Sequence, residues 1–562
     1  MKRRMARGLP SRAAALALAT LCVVTLTTYF VLEMVRPPHA VPASAALTQF
    51  SSGRAMQHLE VISRRPHPSG SPAQDEVREY ISQQLVALGL APELQSTAVV
   101  KNILARLKGT NNSRAVLLVG HYDTVPGAPG ASDDGSAVVV LLETLRALKA
   151  SAPLSNDVIV LFTDGEEEGL LGATAFVSQH PWMKDVGLAL NFEARGTSGP
   201  ALMFETSYQN DWLIRQFAQA APFPFANSLS YELYRYLPND TDFTIFKEGG
   251  LAGLNFAFID GYAYYHTPLD DLAHIDERSL QHQGSYALAL TRHFGNLNLL
   301  QTSDGRDAVY FDIFGSVLVH YSGLWVLPFA LIVAVIFVAN MFVGFRARRL
   351  TWPGVAAGFL ALLLSMISAT GLATLLWSLI EAWRGLDQTV ARRVVSQNHL
   401  YMLSFTLLSV AVTAAIYQRF RKSISSSDLA AGGQLWWLLL MASTSLFLPG
   451  GSYLFTWPLL FSLVASGLTH TSAGQAASPV LRAIVLWFCV LPGIMLCAPI
   501  IFLTFVAFSL SSSGVLMVPV VLLAGLLLPL LEIMTIPGFK WLLPALTTFA
   551  GLGLIFVGSL IA

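Results

Sequence analysis

Three apolar runs between Val116 and Glu193 each stop on a residue that can ligate a metal, and this coincidence constrains the fold more than any other feature. Val116 to Gly120 stops at His121-Tyr122-Asp123. Val158 to Phe162 stops at Thr163-Asp164-Gly165-Glu166-Glu167, and Leu188 to Phe192 stops at Glu193. Apolar runs this short, separated by helical segments, read as buried parallel strands. A fourth, Gly253 to Ile259, leads into Tyr264-Tyr265-His266-Thr267. In open α/β sheets ligand sites form beyond the carboxyl ends of the strands. His121, Glu166 or Glu167, and Glu193 should therefore meet at one edge of one sheet.

The 562 residues leave room for several domains. Only 12% are charged and 54% are hydrophobic, with a mean hydropathy of +0.54. That is too apolar for an all-soluble chain and implies membrane spans, so the lipid bilayer is an expected partner. A formal net charge of zero gives no reason to expect nucleic acid. Cys22, Cys489 and Cys497 all lie in apolar runs. The soluble part can therefore hold neither a disulfide framework nor a cysteine zinc site.

Lys2-Arg3-Arg4 and Arg7 precede an apolar run from Ala13 to Val35. The run is longer than the core of a cleaved signal peptide, so residues 1–44 read as a cytoplasmic tail, a signal anchor and a proline-rich linker. Residues 45–305 read as one α/β domain: strand candidates at Asn102–Leu107 and the runs above alternate with helical patterns at Val77–Leu88 and Val138–Leu148. The expected fold is a mixed, mostly parallel sheet with helices on both faces. Residues 306–562 read as an all-α transmembrane domain of about eight helices, with spans at 315–343, 354–380, 399–417, 434–449, 453–469, 481–508, 514–534 and 541–561. The positive-inside rule places the basic segments Phe345–Arg349 and Gln418–Lys422 in the cytoplasm and residues 45–300 across the membrane, although Arg384, Arg392 and Arg393 then fall on the wrong side. Glu381, His320, His399, His470 and Glu532 fall near span ends, where snorkelling accounts for them.

Each site motif has a bland reading of its own. His121 can be a core histidine. Asp133 and Asp134, in Gly130-Ala-Ser-Asp-Asp-Gly-Ser136, can be an N-cap pair. Glu166-Glu167-Glu168 can be a solvated helix start. Asp240 and Asp242 either shape a cleft or form a loop turn, and Tyr262, Tyr264 and Tyr265 either line a pocket or pack. The joint placement after strands is what matters. Two histidines and three carboxylates form a nitrogen/oxygen set suited to zinc.

The stretches His121-Tyr-Asp123, Gly130–Ser136, Glu166-Glu-Glu-Gly-Leu-Leu-Gly172, Asn191-Phe-Glu193 and Tyr265-His-Thr267 resemble the M28 family of di-zinc aminopeptidases over roughly residues 55–295. Asn191-Phe-Glu-Ala-Arg-Gly196 and Pro238–Phe243 resemble its membrane-bound subgroup, which includes endoplasmic-reticulum and vacuolar metallopeptidases. The resemblance implies two zinc ions, with His121 and Glu193 on one, Glu167 and His266 on the other, and Asp133 bridging. It implies Glu166 as general base, Asp123 behind His121, and an Asp133–Asp134 peptide that is often cis. Glu193 stands where the soluble prototypes have Asp.

The implied activity is that of a membrane-bound zinc exopeptidase, an aminopeptidase hydrolysing N-terminal residues of peptides. The alternatives are a glutaminyl-cyclase-like transferase and a non-catalytic receptor or scaffold. The implied location is a bacterial inner membrane with a periplasmic site, or an endoplasmic-reticulum or vacuolar membrane with a lumenal one. Asn111-Asn-Ser113 and Asn239-Asp-Thr241 fit the glycosylation pattern, and a glycan at the second would obstruct the expected cleft.

Overall fold

The computed structural model describes residues 12–386, 390–470, 476–534 and 540–561. The basic start at Lys2, Arg3, Arg4 and Arg7 lies outside them. The chain divides into two compact units, one of residues 35–323, the other of residues 1–34 with 324–562.

The 35–323 unit is built on a seven-stranded sheet. Its strands are β1 (Glu93–Ser96), β2 (Lys101–Leu107), β3 (Ala115–His121), β4 (Val158–Thr163), β5 (Val186–Ala194), β6 (Leu202–Thr206) and β7 (Ala252–Phe258), in the order β1-β2-β4-β3-β5-β7-β6. The central β4, β3, β5 and β7 are mutually parallel. Antiparallel pairing begins with β2 on one side and β6 on the other.

Burial of both alternating faces explains why the central strands are mainly apolar. On β3, Val116 and Leu118 face a core shared with Leu59, Val138, Leu142 and Tyr286. Leu117 and Val119 face a second core with Ala173, Phe176, Phe243 and Phe246. Both faces are thus covered by helices, and no residue of β3 is left to solvent. Fully burying each such side chain contributes about 1.5–3 kcal/mol. The helix Gly135–Lys149, which follows the site loop, is buried over nearly its whole length.

A two-stranded hairpin closes the unit: β8 (Ala308–Ile313) and β9 (Val317–Ser322). It occupies the start of the span expected at 315–343, and the helix there begins only at Val326. Summed hydropathy cannot tell a buried hairpin from the end of a span. His320 accordingly lies on β9, three residues ahead of the apolar span that begins at Gly323. The hairpin is tied to the unit: Ser228 Oγ donates to Tyr310 O and accepts from Tyr310 N, both at 3.0 Å. Asn210 Oδ1 accepts from Ala308 N at 2.8 Å, and the Tyr310 side chain is fully buried. A fragment of residues 45–305 loses this hairpin and is expected to melt without a cooperative transition. A fragment of residues 35–323 should melt cooperatively, as followed by circular dichroism. The deleted contacts are on the order of 5 kcal/mol, close to the whole margin of a domain.

The other unit has seven helices long and apolar enough to cross a membrane among the described residues, beginning with Ala14–Met34 and ending with Leu542–Leu560. Nine spans were expected. The expected spans at 453–469 and 514–534 are shorter apolar helices, Tyr453–Leu468 and Leu510–Leu526. The second stops where Pro529 sets the first turn of a new helix, Leu528–Ile533. The acids near span ends are paired: Glu381 with Arg392 at 2.7 Å and Glu532 with Arg421 at 2.9 Å. His399 packs beside Phe502 and Phe505.

Candidate metal centre

The carboxyl ends of the central parallel strands carry the centre. His121 is the last residue of β3 and is 1% exposed. Its Nδ1 lies 3.0 Å from the Asp123 carbonyl oxygen, which fixes that nitrogen as the donor. Nε2 then faces the site, 3.3 Å from Asp133 Oδ1 and 3.8 Å from Glu193 Oε2. Asp123 also holds the opposite loop: its two carboxylate oxygens accept from Glu166 N and Glu167 N, each at 3.2 Å.

Asp133 and Asp134 take separate roles, and the peptide between them is cis. Asp134 is the N-cap of Gly135–Lys149 through Ala137 N and also accepts from His121 N. Asp133 points into the site. Its Oδ2 lies 2.9 Å from His266 Nε2, which is 3.1 Å from Glu167 Oε1. Glu193, near the end of β5, is oriented by Asn191 Nδ2, which donates to Glu193 Oε1 at 3.1 Å, and by Gln283 Nε2, which donates to Glu193 O at 2.8 Å. His266 has a backbone φ of 57° and lies under the Tyr265 ring, 3.8 Å between centroids. A non-glycine residue in that left-handed region is uncommon and is often tied to a site.

Ligand atoms of His121, Asp133 and Glu193 lie within 4.8 Å of one another, as do those of Asp133, Glu167 and His266. The two groups share Asp133. Glu166 belongs to a third grouping with His121 and Glu167. All seven sequence-derived residues therefore come together.

Four carboxyl groups, of Asp133, Glu166, Glu167 and Glu193, crowd two imidazoles at this centre. Burial pushes Glu193 up to about 8 and Glu166 well above the usual carboxylate range. Glu167 rises as well, through burial and the neighbouring Asp133. Burial works against Asp133 too, but His121 and His266 outweigh it and hold the carboxylate below its ordinary value. The same pairing raises His266 to about 10 against its own burial. Asp133 Oδ2 and Glu167 Oε1 are buried, yet neither makes a hydrogen bond of good geometry among the described residues, although both are close to His266. Lone pairs converging without donors are what a divalent cation satisfies. The donor set fits zinc.

Two further acids support the centre: Asp270, which the sequence did not single out, and Asp242, whose role it left open. Asp270 is buried, and its carboxylate accepts from Ser132 N at 2.8 Å and Asp133 N at 3.1 Å, clamping the Asp133 loop. Its only sequence signal is an acid pair, Asp270-Asp271, four residues beyond His266. Asp242 is fully buried and accepts from Thr163 Oγ1, at the end of β4. Burial raises it to about 6. Asp240 is exposed and accepts from Thr244 Oγ1 in a local turn.

Residues 102–291 match the model of peptidase family M28. Endoplasmic reticulum metallopeptidase 1 of Mus musculus is 34% identical over 230 residues, covering 40% of this chain and 26% of that protein. The vacuolar membrane protease of Eremothecium gossypii is 31% identical over 340 residues, covering 54% of this chain and 33% of that protein. These matches thus span a quarter to a third of the curated relatives. Among solved structures, an aminopeptidase from Aneurinibacillus sp. strain AM-1 is 14% identical with a TM-score of 0.38, over 44% of this chain and 94% of that one. A glutaminyl cyclase from Porphyromonas gingivalis is 21% identical with a TM-score of 0.37, over 44% and 98%. These two likenesses fall on both sides of the peptidase–cyclase distinction and do not decide it. The chain carries a peptidase family M28 domain and is a multi-pass integral membrane protein.

Proposed function

We propose that this chain is a zinc-dependent hydrolase of the membrane, an aminopeptidase that removes N-terminal residues from peptides. The observation that carries the reading is the pair of ligand groups sharing Asp133, with Glu166 beside them. His121, Asp133 and Glu193 would hold one zinc, and Asp133, Glu167 and His266 a second. Bound zinc supplies Lewis acidity toward the scissile carbonyl and lowers the pKa of a water. Glu166 accepts a proton from the attacking water as the new C–O bond forms, and returns it to the amine as the C–N bond breaks. Burial raises the Glu166 carboxyl well above its ordinary value, which makes it a stronger base than an exposed carboxylate. Asp123 fixes the reach of His121 and the backbone of Glu166 at once. The names of the relatives, a metallopeptidase and a membrane protease, support peptide-bond hydrolysis. The choice of the N-terminus rests on the resemblance of the motifs to di-zinc aminopeptidases.

Metal analysis of the full chain, purified in detergent without chelator, should give about two zinc per chain. The same sample should hydrolyse an aminoacyl amide and lose that activity on dialysis against a chelator. Full activity without zinc overturns the reading. So does one zinc per chain with cyclisation of N-terminal Gln and no hydrolysis.

A further inference from the structure

We propose that Arg195 is the substrate's carboxylate anchor, which directs the site to peptides of two or three residues with a free C-terminus. The inference rests on the peptidase reading and names its substrate class.

Arg195 lies two residues beyond Glu193. The β5–β7 ladder runs to Ala194↔Phe258, and Arg195 N continues it by donating to Phe258 O at 3.1 Å. Side chains two apart on a strand leave the same face. Arg195 therefore projects on the side of Glu193, one pleat farther out, about 7 Å along the strand. The backbone there is locked. Gly196 packs so closely on the Asp260 carbonyl that a Cβ would collide with it, and Thr197 N donates to Asp260 O at 2.8 Å.

Among the described residues the guanidinium has no acidic partner. It lies over the Tyr262 ring, 5.2 Å from its centroid. Its side chain makes no ion pair or hydrogen bond among the described residues, in a centre crowded with carboxylates. Tyr262 stacks on Tyr265 at 5.8 Å, and Tyr265 on His266 at 3.8 Å. An aromatic row thus leads from the guanidinium to the most exposed of the five ligand residues, His266, whose side chain is 33% exposed. The Tyr234 hydroxyl is buried and also lacks a hydrogen-bond partner among the described residues. It feels the charges of both Glu193 and Arg195.

Successive Cα atoms are about 3.8 Å apart, so a terminal carboxylate one or two residues past the scissile bond lies within the reach of this side chain. A cation held on an aromatic face keeps its N–H edge free for a bidentate carboxylate. Lysine could not reproduce that fork.

The test compares Leu-Gly and Leu-Gly-Gly with their C-terminal amides, using the zinc-loaded full chain in detergent. The wild type should prefer the free acids by about 10–100-fold in kcat/KM, the range for a hydrogen bond to a charged group. The preference should lie in KM. In Arg195→Gln it should collapse toward unity, and in Arg195→Glu it should invert in favour of the amides. Turnover of the amides by the same variants reports that they are folded. An equal acid-to-amide ratio in wild type and Arg195→Gln overturns the proposal while leaving the peptidase reading intact. So does a preference that follows only an acidic side chain, as in Leu-Asp-amide over Leu-Gly-amide. Failure of the wild type to hydrolyse any of these peptides overturns both.

Discussion

Glu166→Gln is expected to keep its zinc and to lose about 10²–10⁴ in kcat, the contribution of a positioned general base. The substitution preserves size, and the Glu166 backbone is held from outside its own side chain by Asp123 Oδ1. Glu166 is half-buried and feels the attraction of His121 as well as the repulsion of Glu193, Asp242 and Asp133, so a neutral amide of the same shape should not unfold the loop. Stability is therefore expected to stay level while turnover falls. Zinc content and kcat measured on one preparation check this. Glu167→Gln is the contrast, because Glu167 lies among ligand atoms with Asp133 and His266. Its loss should appear in zinc content as well as in rate. Unchanged kcat in Glu166→Gln would remove Glu166 from the proton-transfer role.

The centre was legible because several candidate ligands follow buried strands in sequence, while Asp133 and His266, which lie in loops, were reached through the resemblance of their motifs. β3, β4 and β5 are covered on both faces, so their sequences are mainly apolar, broken before the site only by Asn191 in β5, and a polar residue at the end of such a run stands out. His121 and Glu193 announce themselves in this way, and Glu166 and Glu167 follow β4 by a short turn. Asp270 carries no such mark. It acts on the backbone of Asp133, 137 residues earlier in the chain, and only the closed fold brings the two together. The marginal strands were also silent. β1 is four residues, three of them exposed, and has no apolar face to display. The β8–β9 hairpin failed in the opposite sense. Its second strand, Val317–Ser322 with Leu318 buried, adds to the hydropathy of the helix that follows and was read with it as one span. Window hydropathy counts apolar residues but not the backbone bends that divide them, so it likewise missed the break ahead of Pro529.

Asp133→Ala is expected to cost more than any other single change, lowering zinc from about two per chain to well below one and activity to background. Its two oxygens reach in different directions, Oδ1 to His121 at 3.3 Å and Oδ2 to His266 at 2.9 Å. Every other ligand serves one group of the pair. His266→Ala should thus leave His121, Asp133 and Glu193 together and retain about one zinc. The loss in Asp133→Ala should not come from collapse of the loop. Asp270 binds the backbone N–H of residues 132 and 133, and Asp134 caps the following helix with its own side chain, so neither support depends on the Asp133 carboxylate. The variant should also hold its charges differently. The carboxylate that helps draw protons onto His121 and His266 is gone, so both imidazoles should titrate lower than in the metal-free wild type. Metal analysis of wild type, His266→Ala and Asp133→Ala, each with an intact cooperative melt, separates the cases. Equal zinc in the two variants would show that Asp133 is not shared, and the centre would then be two independent sites.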